Sequence, residues 1–452
     1  QKKILNLLCF IVFFTSSTLF AKIQLPTVLS HNMVLQQKSQ VKLWGKATPN
    51  SCVNVKTSWS GQNFVTQSDF NGKWQLVVST PSAGGPYEIS ITDGEEVILK
   101  DILIGEVWLC LGQSNMALPL KGRPGQPVEG ANEILVKAKE TFPLRVFTVA
   151  CKSSELPQDD VTGKWLKPSA ENLQNSSAVA YFYGQLLQEV LNVPVGLIVS
   201  AYSGSKIESW LPESPSCDLY NAMVYPLKDY TLKGFLWYQG ESNCVDPQSY
   251  SKYFPLFPKS LREVWGLGEL PFYYVQIAPY AYQWLEETAA ARVREVQLKN
   301  EKLIPNAGMV VTLDLGVETC NHPPKKKEVG HRLAYLALAK TYHHKGFGYQ
   351  SPTYESIEVK DNEIIITFDY TSSYCIAPIY GKLEGFEIAA SDRVFYPAEA
   401  KIDYERRKVI VSAKNVSNPI AVRYAFKNYT RASLFDDYGL PVSSFRSEIG
   451  RA

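Results

Sequence analysis

Three kinds of hydrophobic spacing follow one another along the chain. Between residue 22 and about residue 100, apolar positions come in short runs such as Val41-Lys42-Leu43-Trp44 and Trp74-Gln75-Leu76-Val77-Val78. Clusters such as Pro49-Asn50-Ser51, Asn71-Gly72 and Ala83-Gly84-Gly85-Pro86 interrupt them. Short runs broken by turn residues predict a small β sandwich. From 101 to 345 dense apolar runs at 102–111, 195–199, 235–238, 272–277 and 309–313 alternate with helical spacing at 177–191, 289–302 and 325–342. That alternation predicts the α/β class, a parallel sheet flanked by helices on both faces. Ligands of such sheets bind beyond the carboxyl ends of the strands. From 346 to 452 the pattern is β-like again, as in Glu363-Ile364-Ile365-Ile366-Thr367-Phe368 and Lys408-Val409-Ile410-Val411. A chain of 452 residues exceeds one hydrophobic core, which agrees with this division.

The first 21 residues stand apart. Lys2 and Lys3 precede an apolar run over 4–14, and Ser16, Ser17 and Ala21 supply the small-residue exit of a secretory leader cleaved after Ala21. The run is too short to cross a bilayer, and no later stretch is long enough. The expectation is an exported protein, periplasmic or extracellular, with no membrane partner once the leader is gone. The formal net charge of +2 falls to neutral with that removal, and no basic run marks a nucleic-acid footprint. Of 8 cysteines, Cys9 leaves with the leader. The other spacings are irregular, with no Cys-x-x-Cys pair, so they form neither a disulfide framework nor a zinc site. No cofactor or metal is expected. Aromatic residues make up 12% of the chain, which fits β-sheet packing and also stacking on sugar faces.

Four polar segments follow strands of the central region. Gly112-Gln113-Ser114-Asn115-Met116 directly follows the 102–111 run. A glycine there permits a tight turn that sets Ser114 at the strand-to-helix bend, the logic of a nucleophile elbow without its Gly-x-Ser-x-Gly pattern. Tyr202-Ser203-Gly204-Ser205 follows the 195–199 run, and Gly204 allows close backbone approach to a ligand. Trp237-Tyr238-Gln239-Gly240-Glu241-Ser242-Asn243 carries an amide able to donate to an oxyanion. Asn321-His322-Pro323-Pro324 contains the one histidine of 5 that sits in a loop after a strand. Taken singly, each has an ordinary explanation: a helix cap, a turn, a polar loop, a solvated imidazole.

Together, in order and spacing, they resemble the SGNH hydrolase superfamily and, within it, the sialate O-acetylesterases. Gly105-Glu106-Val107-Trp108 leading into the Ser114 segment carries the likeness, as do Ser203-Gly204 with Trp210, the 237–243 block, and His322-Pro323 followed by Lys327-Glu328-Val329-Gly330. Met33-Val34-Leu35-Gln36, Leu43-Trp44-Gly45 and Ala421-Val422-Arg423-Tyr424-Ala425-Phe426 extend it over nearly the whole chain past the leader. The resemblance implies a serine esterase removing O-acetyl groups from sugars, most directly O-acetylated sialic acids. Ser114 would be nucleophile, His322 general base, and the Ser114 and Gly204 N–H groups with the Gln239 amide the oxyanion hole. Two departures stand out. Ser203 replaces a glycine frequent in the family, and Cys320 occupies the place where many members have the aspartate of the triad. The acid is therefore open between Glu241, two residues from Gln239 and so on the same side of an extended segment, and Asp314, with Asn321 or a main-chain carbonyl as further acceptors. Acetylated xylan as substrate, and sugar binding without catalysis, are the alternatives that the motifs leave standing.

Overall fold

The computed structural model describes residues 23–379 and 381–447, so the leader-like segment lies outside the described residues. Its centre is a sheet in the order Ala307–Val310, Phe272–Val275, Gly234–Tyr238, Glu96–Gly112, Val195–Ala201, Leu144–Thr148, with short Trp165–Leu166 at the edge. All neighbours are parallel except that edge pair. Successive side chains of a strand point to opposite faces, and the long strand uses both. Val107, Leu109 and Leu111 join a core that includes Phe257, Leu261 and Val293 of the helices Leu256–Trp265 and Ala289–Leu303. Trp108 and Cys110 join a second core with Phe182, Leu187, Val329 and Leu333 of Ala178–Leu191 and Lys326–Leu336. This is why the strands read as unbroken apolar runs: neither face meets water.

The strand Glu96–Gly112 is where the strand order reverses. The chain passes from it outward to Leu144–Thr148, back to Val195–Ala201 at its side, then across to Gly234–Tyr238 on the other side. Ala201 and Tyr238 both pair with Gly112, so three strands end level at one point. A crevice opens at such a switch point.

The division anticipated at residue 100 falls inside this 17-residue strand. Its first part pairs antiparallel with Gly84–Thr92, its middle pairs parallel with Val34–Gln36, and its end belongs to the central sheet. The amino-terminal β region adds Cys52–Thr57 with Asn63–Gln67 and the ribbon Gln40–Lys46 with Lys73–Ser79. Beyond residue 352 the sheets are antiparallel: Thr353–Lys360, Glu363–Asp369, Lys408–Ser412 and Glu399–Asp403 form one, and Phe395–Pro397, Phe386–Ala389, Ala421–Tyr424 and Phe445–Arg446 another.

Several element boundaries differ from expectation by a few residues, among them Phe272–Val275 for the run at 272–277, and two more have a visible cause or form. The last parallel strand is Ala307–Val310 rather than 309–313, because past Val310 the Thr312 hydroxyl, not a ladder bond, reaches Gln276 O, at 2.6 Å. The helix expected over 325–342 is α-helical over Lys326–Leu336 and widens to a π turn over Ala337–Thr341. No helix among the described residues is long and apolar enough to cross a membrane.

Candidate active site

The level ends of the three strands deliver three of the polar segments to one place. Gly112 has φ +146°, and a Cβ there would lie 2.2 Å from Tyr238 O, so only glycine lets the strand turn at this point. Gln113 N–H then donates to Tyr238 O at 3.1 Å, Tyr202 N–H to Gly112 O at 3.0 Å, and Ser242 N–H to the Gln113 side-chain oxygen at 3.2 Å. Ser114 begins the short helix Ser114–Ala117 and is nearly buried. A first-turn N–H has no acceptor within its own helix, and that of Ser114 has no partner among the described residues; nor has that of Gly204, in a turn with φ +76°.

The fourth segment starts from the edge strand and must return across the sheet. Asn115 fastens it. Its Nδ2 donates to Asn321 O at 2.9 Å and to Glu241 Oε1 at 2.5 Å, while its Oδ1 accepts from Lys326 Nζ at 2.5 Å. One side chain next to Ser114 thus holds the carbonyl preceding His322, the Glu241 carboxylate and the ammonium four residues after His322. Cys320 adds a thiol bond to His322 O at 3.4 Å.

His322 is 8% exposed, and both its ring nitrogens are buried without a partner among the described residues. Burial first, then the Lys326 and Arg123 charges, push its pKa down to about 4, leaving a neutral imidazole at neutral pH. Lys326 is fully buried, and burial lowers its ammonium to about 7 against the pull of Glu241 and Cys320. Burial raises the Glu241 carboxyl, opposed by its backbone hydrogen bond, Asn115 and Lys326, and its Oε2 has no partner.

The remaining candidates sit as follows. Glu241 makes no hydrogen bond to His322; its bonded oxygen faces Asn115. Asp314 is held in a two-point pair by Arg332 at 2.8 and 2.6 Å and makes no hydrogen bond to His322 among the described residues. The amide of Gln239 is not free: Nε2 donates to Ser205 O at 3.1 Å and to Asn243 Oδ1 at 2.7 Å. Asn243 Nδ2 donates to Glu208 at 3.0 Å and its Oδ1 accepts from Ile207 N–H, which fixes the direction of both amides. Gln239 therefore anchors the turn carrying Gly204. Sequence reasoning passed over Lys326 and Arg123. Arg123 reaches Ser203 Oγ at 3.3 Å and bears on His322. Only the Lys325-Lys326-Lys327 run hinted at the first, and nothing in it distinguishes the buried lysine.

The site thus combines a hydroxyl at a strand-to-helix turn, a neutral imidazole whose loop is tied to that turn through Asn115 but whose nitrogens make no hydrogen bond to Ser114 among the described residues, and free main-chain N–H groups, the components that acyl transfer calls for. Comparison with known proteins agrees with that chemistry. Residues 104–339 match the family model "Carbohydrate esterase, sialic acid-specific acetylesterase". A sialate O-acetylesterase of Homo sapiens is 28% identical over 400 residues, 76% of this chain and 75% of that one. The sialate O-acetylesterase of Pongo abelii is 27% identical over 462 residues, covering 89% and 87%. A carbohydrate acetylesterase of Xanthomonas citri, solved as a crystal structure, superposes with a TM-score of 0.88 at 32% identity, over 94% of this chain and 100% of that one.

Proposed function

The chain belongs to the sialic acid-specific acetylesterase family of carbohydrate esterases, and from that premise we propose that it is an exported serine esterase acting on O-acetylated sugars, O-acetylated sialic acids first among them. Membership makes it a carboxylic ester hydrolase. The observation that carries the catalytic reading is the switch-point geometry: Ser114 at the turn after the central strand, tied through Asn115 to the loop of an imidazole with both nitrogens unengaged. Export rests on the leader-like composition of the first 21 residues.

In this reading Ser114 Oγ attacks the acetyl carbonyl as His322 takes its proton. The tetrahedral intermediate collapses, and His322 returns the proton to the departing sugar oxygen. Water, with His322 again as base, then releases acetate from Ser114. The Ser114 and Gly204 N–H groups stabilise the oxyanion, each such donor being worth about 2.7–4 kcal/mol in the transition state. Gln239 serves the oxyanion at one remove, by holding Ser205 O and so the Gly204 turn. Glu241 bears on His322 through Asn115, which binds both its carboxylate and the carbonyl before His322.

The test is acetate release from O-acetylated sialic acid and from acetylated xylan, by the wild type and by Ser114→Ala. Release from the sialic acid, lost in the variant, supports the reading. Preference for xylan moves the substrate within the same mechanism. Turnover retained by the variant overturns the nucleophile.

A further inference from the structure

Among the described residues, Lys326 is the one buried charge of the site that has no part in the proposed acyl transfer. A lysine is almost never fully buried without a reason, since desolvating an ammonium costs several kcal/mol unless it is compensated. Its compensation is indirect. Nζ donates to Asn115 Oδ1, Asn115 Nδ2 donates to Glu241 Oε1, and the ammonium also lies 5.4 Å from the centre of the Tyr238 ring. The two opposite charges are joined through a neutral amide.

That amide has two ends of equal size and opposite character, and an asparagine in a site can face either way. An ammonium only donates, and a carboxylate and a carbonyl only accept. With Lys326 on one side and Glu241 and Asn321 O on the other, only one orientation sets a complementary Asn115 atom against all three. Turned over, Asn115 would set its NH₂ against the ammonium and its oxygen against two acceptors. We infer that Lys326 is a positioning residue for the esterase reaction: by fixing the direction of the Asn115 amide it holds the His322 loop against the turn that carries Ser114. This rests on the reading of Ser114 and His322 given above.

The expected behaviour is that of a residue acting on geometry. Lys326→Met, which keeps the length and removes the donor, lowers kcat about 10²-fold, the scale of an ångström-sized misplacement of catalytic groups, and leaves KM little changed. Because it acts through Asn115, its effect does not add to that of Asn115→Ala: the double variant turns over about as slowly as either single one. The measurement is kcat and KM for an activated aryl acetate in the full chain, for both single variants and the double, with folding followed by circular dichroism. If Lys326→Met does not fold, the neutral pair Lys326→Met/Glu241→Gln replaces it, read against Glu241→Gln alone, because that pair leaves no uncompensated charge. Near-normal kcat in Lys326→Met, or in the neutral pair relative to Glu241→Gln, overturns the inference. So do losses that add in the cycle, which mean that Lys326 acts on something other than Asn115. Ser114→Ala runs in parallel: if it keeps its turnover, the site reading itself fails, whereas an inactive Ser114→Ala beside a fully active Lys326→Met removes only the role of Lys326.

Discussion

Two buried polar clusters are built on helices that flank the same sheet, and they are finished to different degrees. Around Arg294 the carboxyl-terminal β region is fastened to the catalytic core. The fully buried guanidinium donates to Lys427 O, Asn428 O and Ser444 Oγ, and Gln276 binds Arg294 O at 3.0 Å and Ser443 Oγ at 2.8 Å. Asn428 accepts from Ala290 N–H at 2.8 Å and donates to Glu286 O at 2.9 Å, so the side chain of the asparagine in Asn428-Tyr429-Thr430, an Asn-x-Thr glycosylation pattern, is used inside the fold. Around Asn115 the cluster is open. Both nitrogens of His322, Glu241 Oε2 and Gln239 Oε1 are buried without partners among the described residues. An unsatisfied buried polar group is costly and needs an explanation. A cluster in which every nitrogen of the buried guanidinium is bonded has one, stability; one at a strand switch point whose imidazole has neither nitrogen bonded has another, that its partner is the reacting molecule.

The sharpest way to break this contrast is at the open end. Ser114→Ala and His322→Ala are each expected to lower kcat by about 10⁶-fold, and the double variant by no more, since such residues act as a unit. Unfolding temperatures near the wild-type value are expected, because the His322 ring nitrogens have no partner among the described residues and Ser114→Ala removes a single hydroxyl. Aryl acetate hydrolysis and thermal denaturation on the same samples check both halves. Substantial turnover in either variant would remove the functional meaning of the open cluster.

A smaller effect separates the two carboxylates. Glu241→Gln keeps the shape of the side chain but loses the charge that faces Asn115 and Lys326, and kcat falls about 10–10²-fold through misplacement of the His322 loop. Asp314→Asn leaves kcat unchanged and lowers the unfolding temperature, because its partner is Arg332. Kinetics of the two variants side by side decide it: a large loss in Asp314→Asn with none in Glu241→Gln exchanges their roles.

At the saturated cluster the expected loss is in stability alone. Arg294→Met strips donors from Lys427 O, Asn428 O and Ser444 Oγ, and each acceptor left buried costs about 1–3 kcal/mol. Urea unfolding reports it. A folded Arg294→Met with wild-type kcat keeps the two clusters distinct, and a large fall in kcat would merge them.

The comparison also explains what was legible in the sequence. Strands buried on both faces advertise themselves, so five of the parallel strands and the sheet class follow from the apolar runs at 102–111, 195–199, 235–238, 272–277 and 309–313; Leu144–Thr148 went unread, because Arg145 breaks its run. Family membership was legible for the same reason that the site is built from short contiguous blocks. Hydrogen-bond direction was not. Whether Gln239 points to a ligand or to Ser205 O depends on Asn243 and Ile207, and neither constraint leaves a mark in spacing. Nor does sequence tell which of three adjacent lysines is buried. The place of Lys326 is set by the register of its helix against a side chain more than two hundred positions away.

The smallest expected effect is a pH dependence, and its sign follows from the same openness. With no anion bonded to it, buried His322 resists protonation and titrates at about 4, against about 6.5 when unfolded. The base is neutral above that lower value, so the acid limb of kcat/KM is expected well below 6.5, falling as pH drops through about 4. For stability, between about 4 and 6.5 the unfolded chain binds the proton and the folded chain does not. Stability therefore rises with pH across that window, and this contribution is fully in place above it. Glu241, raised by burial, works in the opposite sense, and Lys326, lowered to about 7, has its main window at higher pH, so the His322 part must be taken as a difference. Urea midpoints at pH 5 and pH 7 for the wild type and for His322→Gln supply it. The wild type should gain more stability between the two pH values than the variant does. Arg294, lowered only to about 10, stays charged throughout and adds nothing to the slope. Equal slopes in wild type and variant would mean that the His322 pKa is not lowered by folding, its burial being offset in solution, and the cluster around Asn115 would then be less open than its geometry shows.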